Sequence, residues 1–206
     1  MAQANWRRDE KQLYLPGSDP VLLDVGELRF FMLDGEGDPN GPAFSRAVEA
    51  LYSLSYAVRM SYRQPDPPAG YEPYTVYPLE GVWDLVDRSL GSTDKDNLKY
   101  TLMIRQPEFV DDALFNRFLE AVRSRKDNPD LARVRFGTLT EGPCCQALHL
   151  GPFEDEPATF TRMEQYCLQE GFVRRSKLHR EIYLSDPRRT GKDKLRTVLR
   201  FSVDPR

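Results

Sequence analysis

The stretch His179–Asp186, HREIYLSD, reads as a β-strand that carries reactive groups on one of its faces. Side chains alternate along a strand, so Ile182 and Leu184 fall on one face. Glu181 and Tyr183 fall on the other, and an Asp-Pro pair then ends the strand. A carboxyl and a phenol thus project together from rigid backbone, and burying such a face is costly unless it is used. On this stretch alone, the simpler interpretation is an exposed face of solvated polar residues.

Length, charge and composition are those of an ordinary soluble globular protein. The chain has 206 residues, of which 40% are hydrophobic and 30% charged, and a net charge of −3. A net negative charge argues against a nucleic-acid partner, because the chain has no excess of basic residues to neutralise a run of phosphates. The sequence shows no apolar stretch of bilayer length and no secretory signal. We therefore expect a cytoplasmic protein with no membrane partner, and the oligomeric state is left open.

The cysteines and histidines favour neither a disulfide framework nor a metal site. Cys144 and Cys145 are adjacent and would form a bridge only with strained geometry. With Cys167, they are interpreted as small buried residues in a reducing compartment. The two histidines, His149 and His179, lack the neighbours of a metal-ligand motif. We therefore expect neither a metal nor a cofactor.

The order of predicted elements repeats along the chain, which indicates two related halves. Each half is predicted to hold a β-hairpin, a loop ending in an acid-Pro pair, a helix and two further strands. The hairpins join residues 21–25 to 29–33 and residues 133–139 to 145–150, and the helices follow apolar stripes at 44–58 and 160–167. This pattern predicts an α+β fold with a duplicated β-β-α-β-β module. Two antiparallel sheets with helices would be related by a pseudo-twofold axis around a central ligand groove.

The domain boundaries follow from the same repeat. We expect an N-terminal arm at residues 1–20, loosely packed, and a single domain at residues 21–206. Half one spans about residues 21–107 and half two about residues 133–206. A helix at about residues 111–126 joins them, with Asp111 placed as its N-cap.

Several strings of residues resemble the GyrI-like small-molecule-binding family. They are LEGVW at 79–83, MIRQP at 103–107, HLGPF at 149–153, DEPAT at 155–159 and EIYLSDPRR at 181–189. Their combination in this order is specific, although any one of them alone is a weak signal. The resemblance runs from about residue 13 to residue 203. It is nearest to stand-alone members, some of which are cyclopropanoid cyclopropyl hydrolases.

The resemblance implies a hydrophobic, aromatic-lined cavity between two halves, with an acid at the Glu181 position. It implies hydrolysis of the strained cyclopropane of DNA-alkylating natural products of the yatakemycin and duocarmycin type. Other relatives only bind drugs or sense ligands for transcription regulators. We expect a stand-alone protein rather than a regulator, because no helix-turn-helix segment precedes the matching strings.

The chain departs from the family pattern in the expected wall of the cavity. Where tryptophans are expected near Trp83 and in the following strand, it has Asp84, Leu98 and Tyr100. Arg180 stands where the second of two neighbouring histidines is expected. The identity of the ligand therefore does not transfer from the family.

Three residues are candidates for catalysis. Opening a conjugated cyclopropane requires a carboxylate that directs water and a donor for the developing phenolate. Glu181 is the first choice for the water-directing carboxylate. Glu156 is the second, although an acid at a helix start is also a favourable partner for the helix dipole. Tyr183 is a candidate donor to the oxyanion or part of the wall.

Six further residues are candidates for ligand binding. A flat, apolar ligand requires aromatic walls for stacking. The set consists of Trp83, Tyr100, Met103, His149, Phe153 and His179. For Tyr100, packing in the core is an equal alternative, and a lone histidine such as His149 is more often structural. Met103 faces away from the apolar side of its strand, which suits a groove.

Three functions remain open on this sequence. The first is a hydrolase that opens the cyclopropane of a genotoxic natural product, for drug resistance or self-protection. The second is a non-catalytic protein that binds or sequesters flat aromatic drugs, in which Glu181 pairs with a ligand cation. The third is a protein-binding inhibitor that acts in the manner of gyrase inhibitors.

Overall fold

The computed structural model describes residues 4–90 and 95–206 and mixes α-helices with antiparallel β-strands. The helices in the described residues are α1 (Trp6–Asp9), α2 (Lys11–Tyr14), α3 (Pro42–Arg59), α4 (Asp112–Arg123) and α5 (Glu156–Gln169). The strands are β1 (Val21–Glu36), β2 (Leu79–Leu85), β3 (Leu98–Gln106), β4 (Arg135–Leu150), β5 (Phe172–Arg174), β6 (His179–Tyr183) and β7 (Arg196–Pro205). The mixed fold class predicted from the sequence is confirmed.

Both predicted hairpins are wrong, because each is a single long strand. β1 and β4 each run for 16 residues without reversing. Gly142 takes a φ of +67°, so the Glu-Gly-Pro string bends the backbone of β4 instead of turning it back. Each half therefore has the order strand, helix and further strands, and not the predicted β-β-α-β-β order. The duplication, the pseudo-twofold axis and the groove stay predictions.

The chain forms two compact units that interleave along the sequence. The first contains Leu28–Leu79 and Leu85–Leu139, with the segment that ends at Trp6. The second contains Arg7–Glu27, Glu80–Asp84 and Thr140–Arg206. Strands β1, β2 and β4 contribute residues to both units. The predicted domain boundaries are not tested by this division and stay a prediction.

The first unit is built on the pairing of β1 with β3. Their register runs antiparallel from Arg29 opposite Gln106 to Glu36 opposite Lys99. Helix α3 has the predicted apolar stripe, and its buried side includes Leu51, Leu54 and Val58. Helix α4 begins as predicted, with the Asp111 carboxylate accepting a 2.8 Å hydrogen bond from the Leu114 amide.

The second unit places β7 between β4 and β6. β4 pairs with β7 from Cys144 to Leu150, and β6 pairs with the same strand through Arg180–Tyr183. β2 pairs with the far edge of β6, and β5 pairs with the end of β7. Helix α5 covers a core made of Cys145, Ala147, Met163, Cys167, Leu199, Phe201 and Val203.

The cysteines are free and buried, as the sequence predicts. Burial raises the pKa of the Cys144 thiol to about 11, and the charge of Glu141 adds to the shift. A thiol that stays protonated is a poor nucleophile. Cys144, Cys145 and Cys167 therefore serve packing and not chemistry.

The N-terminal arm is held more firmly than predicted. Its first three residues lie outside the described residues. Trp6 is buried in the first unit, where its indole donates to the Val76 carbonyl over 3.0 Å. Tyr14 is buried in the second unit, and its hydroxyl donates to Glu80. The aromatic side chains anchor the arm, although its polar composition suggests mobility.

Among the described residues, every helix is too short or too polar to span a bilayer.

Candidate functional site

The pairing of β2 with β6 assembles a group of polar and aromatic side chains inside the second unit. In this register Gly81 lies opposite Glu181, and Trp83 lies opposite His179. Directly paired residues of antiparallel strands project to the same face. The face predicted from the alternation of β6 therefore exists, and its central residue, Glu181, is buried between the partly exposed His179 and Tyr183. Glu181 is only 8% exposed.

A chain of hydrogen bonds runs across this face. The Trp83 indole donates to the Tyr183 hydroxyl oxygen over 2.8 Å. The Tyr183 hydroxyl in turn donates to Glu181 Oε2 over 2.8 Å. Each group in the chain is thus oriented by the one before it, which fixes the direction of the Glu181 carboxylate.

His179 approaches the other oxygen of the same carboxylate. Its Nδ1 lies 3.3 Å from the Lys177 carbonyl, which accepts only, so Nδ1 carries a hydrogen. Its Nε2 lies 3.2 Å from Glu181 Oε1. The ring packs edge-on against Phe160, with centroids 4.8 Å apart. Glu181 therefore accepts a hydrogen bond from Tyr183 at one oxygen and has the His179 ring beside the other.

Glu156 enters the group from the first turn of α5. It is 6% exposed, and its Oε1 receives no hydrogen from the described residues. One oxygen of Glu156, one oxygen of Glu181 and one ring nitrogen of His179, each of which could bind a metal ion, all lie within 4.8 Å of one another. Two carboxylates this close repel each other unless a proton or a cation lies between their oxygens. Because their oxygens lie this close and the charge of each group disfavours the charge of the other, we infer that the two carboxyl groups share one proton.

The electrostatics of the pair agree with this assignment. Burial raises the pKa of Glu156 well above its ordinary value, and the charge of Glu181 raises it further. Burial also raises the pKa of Tyr183 well above its ordinary value, with the same carboxylate adding to the effect. Glu156 therefore holds its proton to a higher pH than an ordinary carboxyl group, and Tyr183 is protonated at neutral pH. The arrangement can pass a proton between two buried carboxyl groups.

Comparison with known proteins identifies the family. A family model described as the GyrI-like small molecule binding domain matches residues 18–203. The chain belongs to this GyrI-like family. A comparison with curated protein sequences gives no significant match.

Solved structures support this membership. The chain is 34% identical to a hydrolase from Listeria innocua, covering 98% of this chain and 100% of that one, with a TM-score of 0.90. An uncharacterized conserved protein from the same organism is 35% identical over the same shares, with a TM-score of 0.92. The EcmrR C-terminal domain is 11% identical, with a TM-score of 0.54, covering 91% of this chain and 98% of that one, and shows the fold alone.

The structure brings five of the predicted site residues into this group of the GyrI-like domain. They are Trp83, Glu156, His179, Glu181 and Tyr183. Phe153 lies beside them, its ring edge-on to Tyr183 with centroids 6.1 Å apart. Trp83 lies in strand β2, although the string around Gly81 reads as a loop in the sequence.

The other three predicted ligand residues lie elsewhere in the GyrI-like domain. Tyr100 and Met103 belong to the first unit and are buried there, with the Tyr100 ring packed edge-on against Phe44. His149 uses both ring nitrogens inside the second unit. Its Nε2 donates to the Pro152 carbonyl over 3.0 Å, so its Nδ1 accepts from the Thr159 hydroxyl over 2.9 Å. This bonding gives His149 a structural role.

Two surface cavities in the second unit lie at other residues. One of about 290 Å³ is lined by Glu164, Leu168, Val173, Arg174, Ser176 and Lys177. Another of about 330 Å³ is lined by Ser18, Leu148, His149, Leu150, Asp155, Ala158, Thr159 and Arg162. The second reaches His149 but neither carboxyl of the pair.

Gly81 is a member of the site that sequence reasoning missed. A Cβ built on Gly81 would lie 2.8 Å from Trp83 Nε1 and 3.2 Å from the Tyr183 hydroxyl. The space above this glycine is therefore where the indole and the phenol meet. The LEGVW string contained a signal for this site, because a glycine inside a strand marks a place where another group lies close to the backbone.

Gly81→Ala is expected to lower the free energy of unfolding by about 1–3 kcal/mol, because the new methyl group overpacks the indole. Gly26→Ala is the matched control, since Gly26 is also in a strand and has open space at its Cβ position. We expect that control to change stability by less than about 0.5 kcal/mol. Urea unfolding of both variants measures the difference. Equal losses for the two variants would contradict the packing argument.

Proposed function

We propose that the protein is a hydrolase that adds water to the strained cyclopropane of a flat, DNA-alkylating natural product. The observation that carries the proposal is the buried, closely spaced carboxyl pair of Glu156 and Glu181, which lies beside Tyr183 and Trp83. A pair of carboxyl groups with one proton offers a base and an acid in one place. The biological role would be drug resistance or self-protection.

Glu181 is the base of the pair. Its carboxylate accepts a hydrogen bond from Tyr183 and faces His179 at its other oxygen. The Tyr183 hydrogen bond orients this carboxylate. In the reaction, Glu181 takes a proton from a water molecule while the water oxygen bonds to the strained carbon.

Glu156 is the acid of the pair. The carbon–carbon bond that breaks sends its electron pair into the conjugated carbonyl, which becomes a phenolate. Glu156 gives its proton to that oxygen, and Glu181 passes the proton taken from water to Glu156. One water is consumed, the product is a phenol with a new alcohol, and the pair regains its original single proton.

Tyr183 and Trp83 have supporting roles in this scheme. Because the Tyr183 hydroxyl already donates to Glu181, it holds the base and does not donate to the oxyanion. Trp83 orients Tyr183 and offers an aromatic surface for stacking. Phe153 extends that surface beside Tyr183.

The test is to incubate the purified protein with a yatakemycin-type compound and to follow products by mass spectrometry. We expect a product heavier by one water, formed well above the rate without protein. In water enriched in oxygen-18, that product gains the heavy oxygen. The absence of a water adduct above background would remove the hydrolase proposal.

The family description favours a second candidate, a protein that binds or sequesters a small molecule without chemistry. The same carboxyl pair would then pair with a cationic group of a flat ligand. Substitution of Glu181 by glutamine separates the two candidates. In a hydrolase the neutral substrate still binds, whereas in a cation-binding protein the binding itself weakens.

A further inference from the structure

A buried charged network lies on the opposite face of β6 from the carboxyl pair. Arg180 is 2% exposed and its NH1 donates to Glu80 Oε2 over 2.7 Å, while Glu80 itself is 1% exposed. Glu141 Oε1 lies 3.1 Å from Arg180 Nε, and its other oxygen accepts from Arg200 over 2.9 Å. Two arginines and two glutamates thus balance their charges inside the second unit.

The network also holds the N-terminal arm in the second unit. The Tyr14 hydroxyl donates to Glu80 Oε1 over 3.3 Å. Arg200 donates to the Leu13 carbonyl over 2.7 Å and to the side-chain oxygen of Gln146. Burial lowers the pKa of Arg180, but the charges of Glu80 and Glu141 outweigh it and the net shift is upward. Arg180 is therefore charged at all working pH values.

A network of this kind contributes little to net stability. Removing charges from water costs several kcal/mol per ion, and apolar replacements of the same volume are often neutral or stabilising. An ion pair contributes instead a defined geometry between its two side chains. The Arg180–Glu80 contact is diagonal across the two strands, since Glu80 lies opposite Ile182 and Arg180 lies opposite Val82. A register shifted by one residue would place these two side chains on opposite faces and break the contact.

We propose that Arg180 is a positioning residue: its ion pair with Glu80 fixes β6 on β2 and thereby holds Glu181 and Tyr183 against Trp83. A slip of β2 by one residue would turn Trp83 away from Glu181 and Tyr183, and a slip of two that moves Glu80 away from Arg180 would separate the ion pair. Apolar side chains such as Val82 and Ile182 tolerate such shifts better than a charged hydrogen bond between one defined donor and one defined acceptor. The kinetic part of this inference rests on the proposed hydrolase function, and its spectroscopic part does not.

The experiment uses the double variant Arg180→Met/Glu80→Gln. A single Arg180→Met change would leave the Glu80 charge buried alone and unfold the protein, whereas the double variant removes both charges. Glutamine at position 80 still accepts from Tyr14, and Glu141 keeps Arg200. Arg175→Met is the matched control, because Arg175 forms an exposed ion pair with Asp204 in the same unit.

The main measurement is the indole N–H resonance of Trp83 in the folded, nitrogen-15-labelled protein. The chain has two tryptophans. Trp6 donates to a carbonyl in the first unit and serves as an internal reference. In the double variant we expect the Trp83 resonance to move toward that of a solvated indole while the Trp6 resonance stays in place. In Arg175→Met neither resonance moves.

The kinetic measurement is expected to show a fall in kcat of about 10²-fold with KM little changed, as for a misplacement of about 1 Å. If the wild-type protein has no hydrolase activity, the proposed function fails and the indole resonance still decides the positioning role. If the double variant does not fold, Glu80→Gln alone replaces it, because Arg180 then keeps Glu141 as a buried ion-pair partner. A folded variant of either kind with an unmoved Trp83 resonance overturns the inference.

Discussion

Glu181→Gln is expected to lower the rate of water addition by about 10²–10⁴-fold, the usual contribution of a positioned general base. An amide cannot take a proton from water. The amide oxygen still accepts from the Tyr183 hydroxyl, so the Trp83–Tyr183 chain and the fold should survive. The measurement is the initial rate of formation of the water adduct, followed by chromatography and mass spectrometry at fixed pH.

The matched control for this prediction is Glu154→Gln. Glu154 precedes α5 as an exposed acid, with Lys192 3.9 Å away, and removing its charge tests a general electrostatic effect. We expect the control to retain most of the wild-type rate. A Glu181→Gln variant that also retains most of that rate would exclude Glu181 as the base and leave Glu156 as the remaining carboxyl of the pair.

The alternation of one strand placed the two central residues of the candidate site on one face, although taken alone it favoured an exposed face. Period two in HREIYLSD places Glu181 and Tyr183 on one face, and the structure joins them by a hydrogen bond. Glu156 could be placed only by the family resemblance and its helix start. Its contact with Glu181 depends on how α5 packs in the second unit, which no local pattern contains.

The two long strands show where local signals mislead. Gly26-Glu27 and Glu141-Gly142-Pro143 have the composition of turns, so they read as hairpins. In the structure, β1 and β4 continue through both strings. In the folded chain, pairing with neighbouring strands outweighs the turn preference of a short string.

The buried network was missed although the sequence contained a signal for it. The same alternation that pairs Glu181 with Tyr183 puts Arg180 on the face of Ile182, which is apolar. A charge on an apolar face predicts a buried partner. That partner, Glu80, is 100 residues away in the sequence, so only the β2–β6 register identifies it.

The stability of the wild-type protein is expected to fall as the solution becomes alkaline, and Glu156→Gln is expected to remove this pH dependence. In the folded state, burial and the Glu181 charge hold the pKa of Glu156 well above its ordinary value. In the unfolded chain it titrates near about 4.3. Above that pH, the folded state binds a proton that the unfolded state has lost. Folding stability therefore falls as the pH rises toward the folded pKa, by up to about 1.4 kcal/mol per pH unit.

The measurement is the melting temperature of wild type and Glu156→Gln between pH 5 and pH 9, with Glu170→Gln as the exposed-acid control. Glu154 is unsuitable for this control because its charge adds to the raised pKa of Glu156. The Glu156→Gln variant has no proton to lose, and its amide donates a hydrogen bond to Glu181 in place of the shared proton. The difference in melting temperature, variant minus wild type, should therefore grow as the pH rises toward the folded pKa of Glu156, while the control difference stays flat. A difference that is constant across this range would mean that the two carboxyl groups do not share a proton. The division of base and acid between Glu181 and Glu156 would then lose its physical basis, even if the protein binds its ligand.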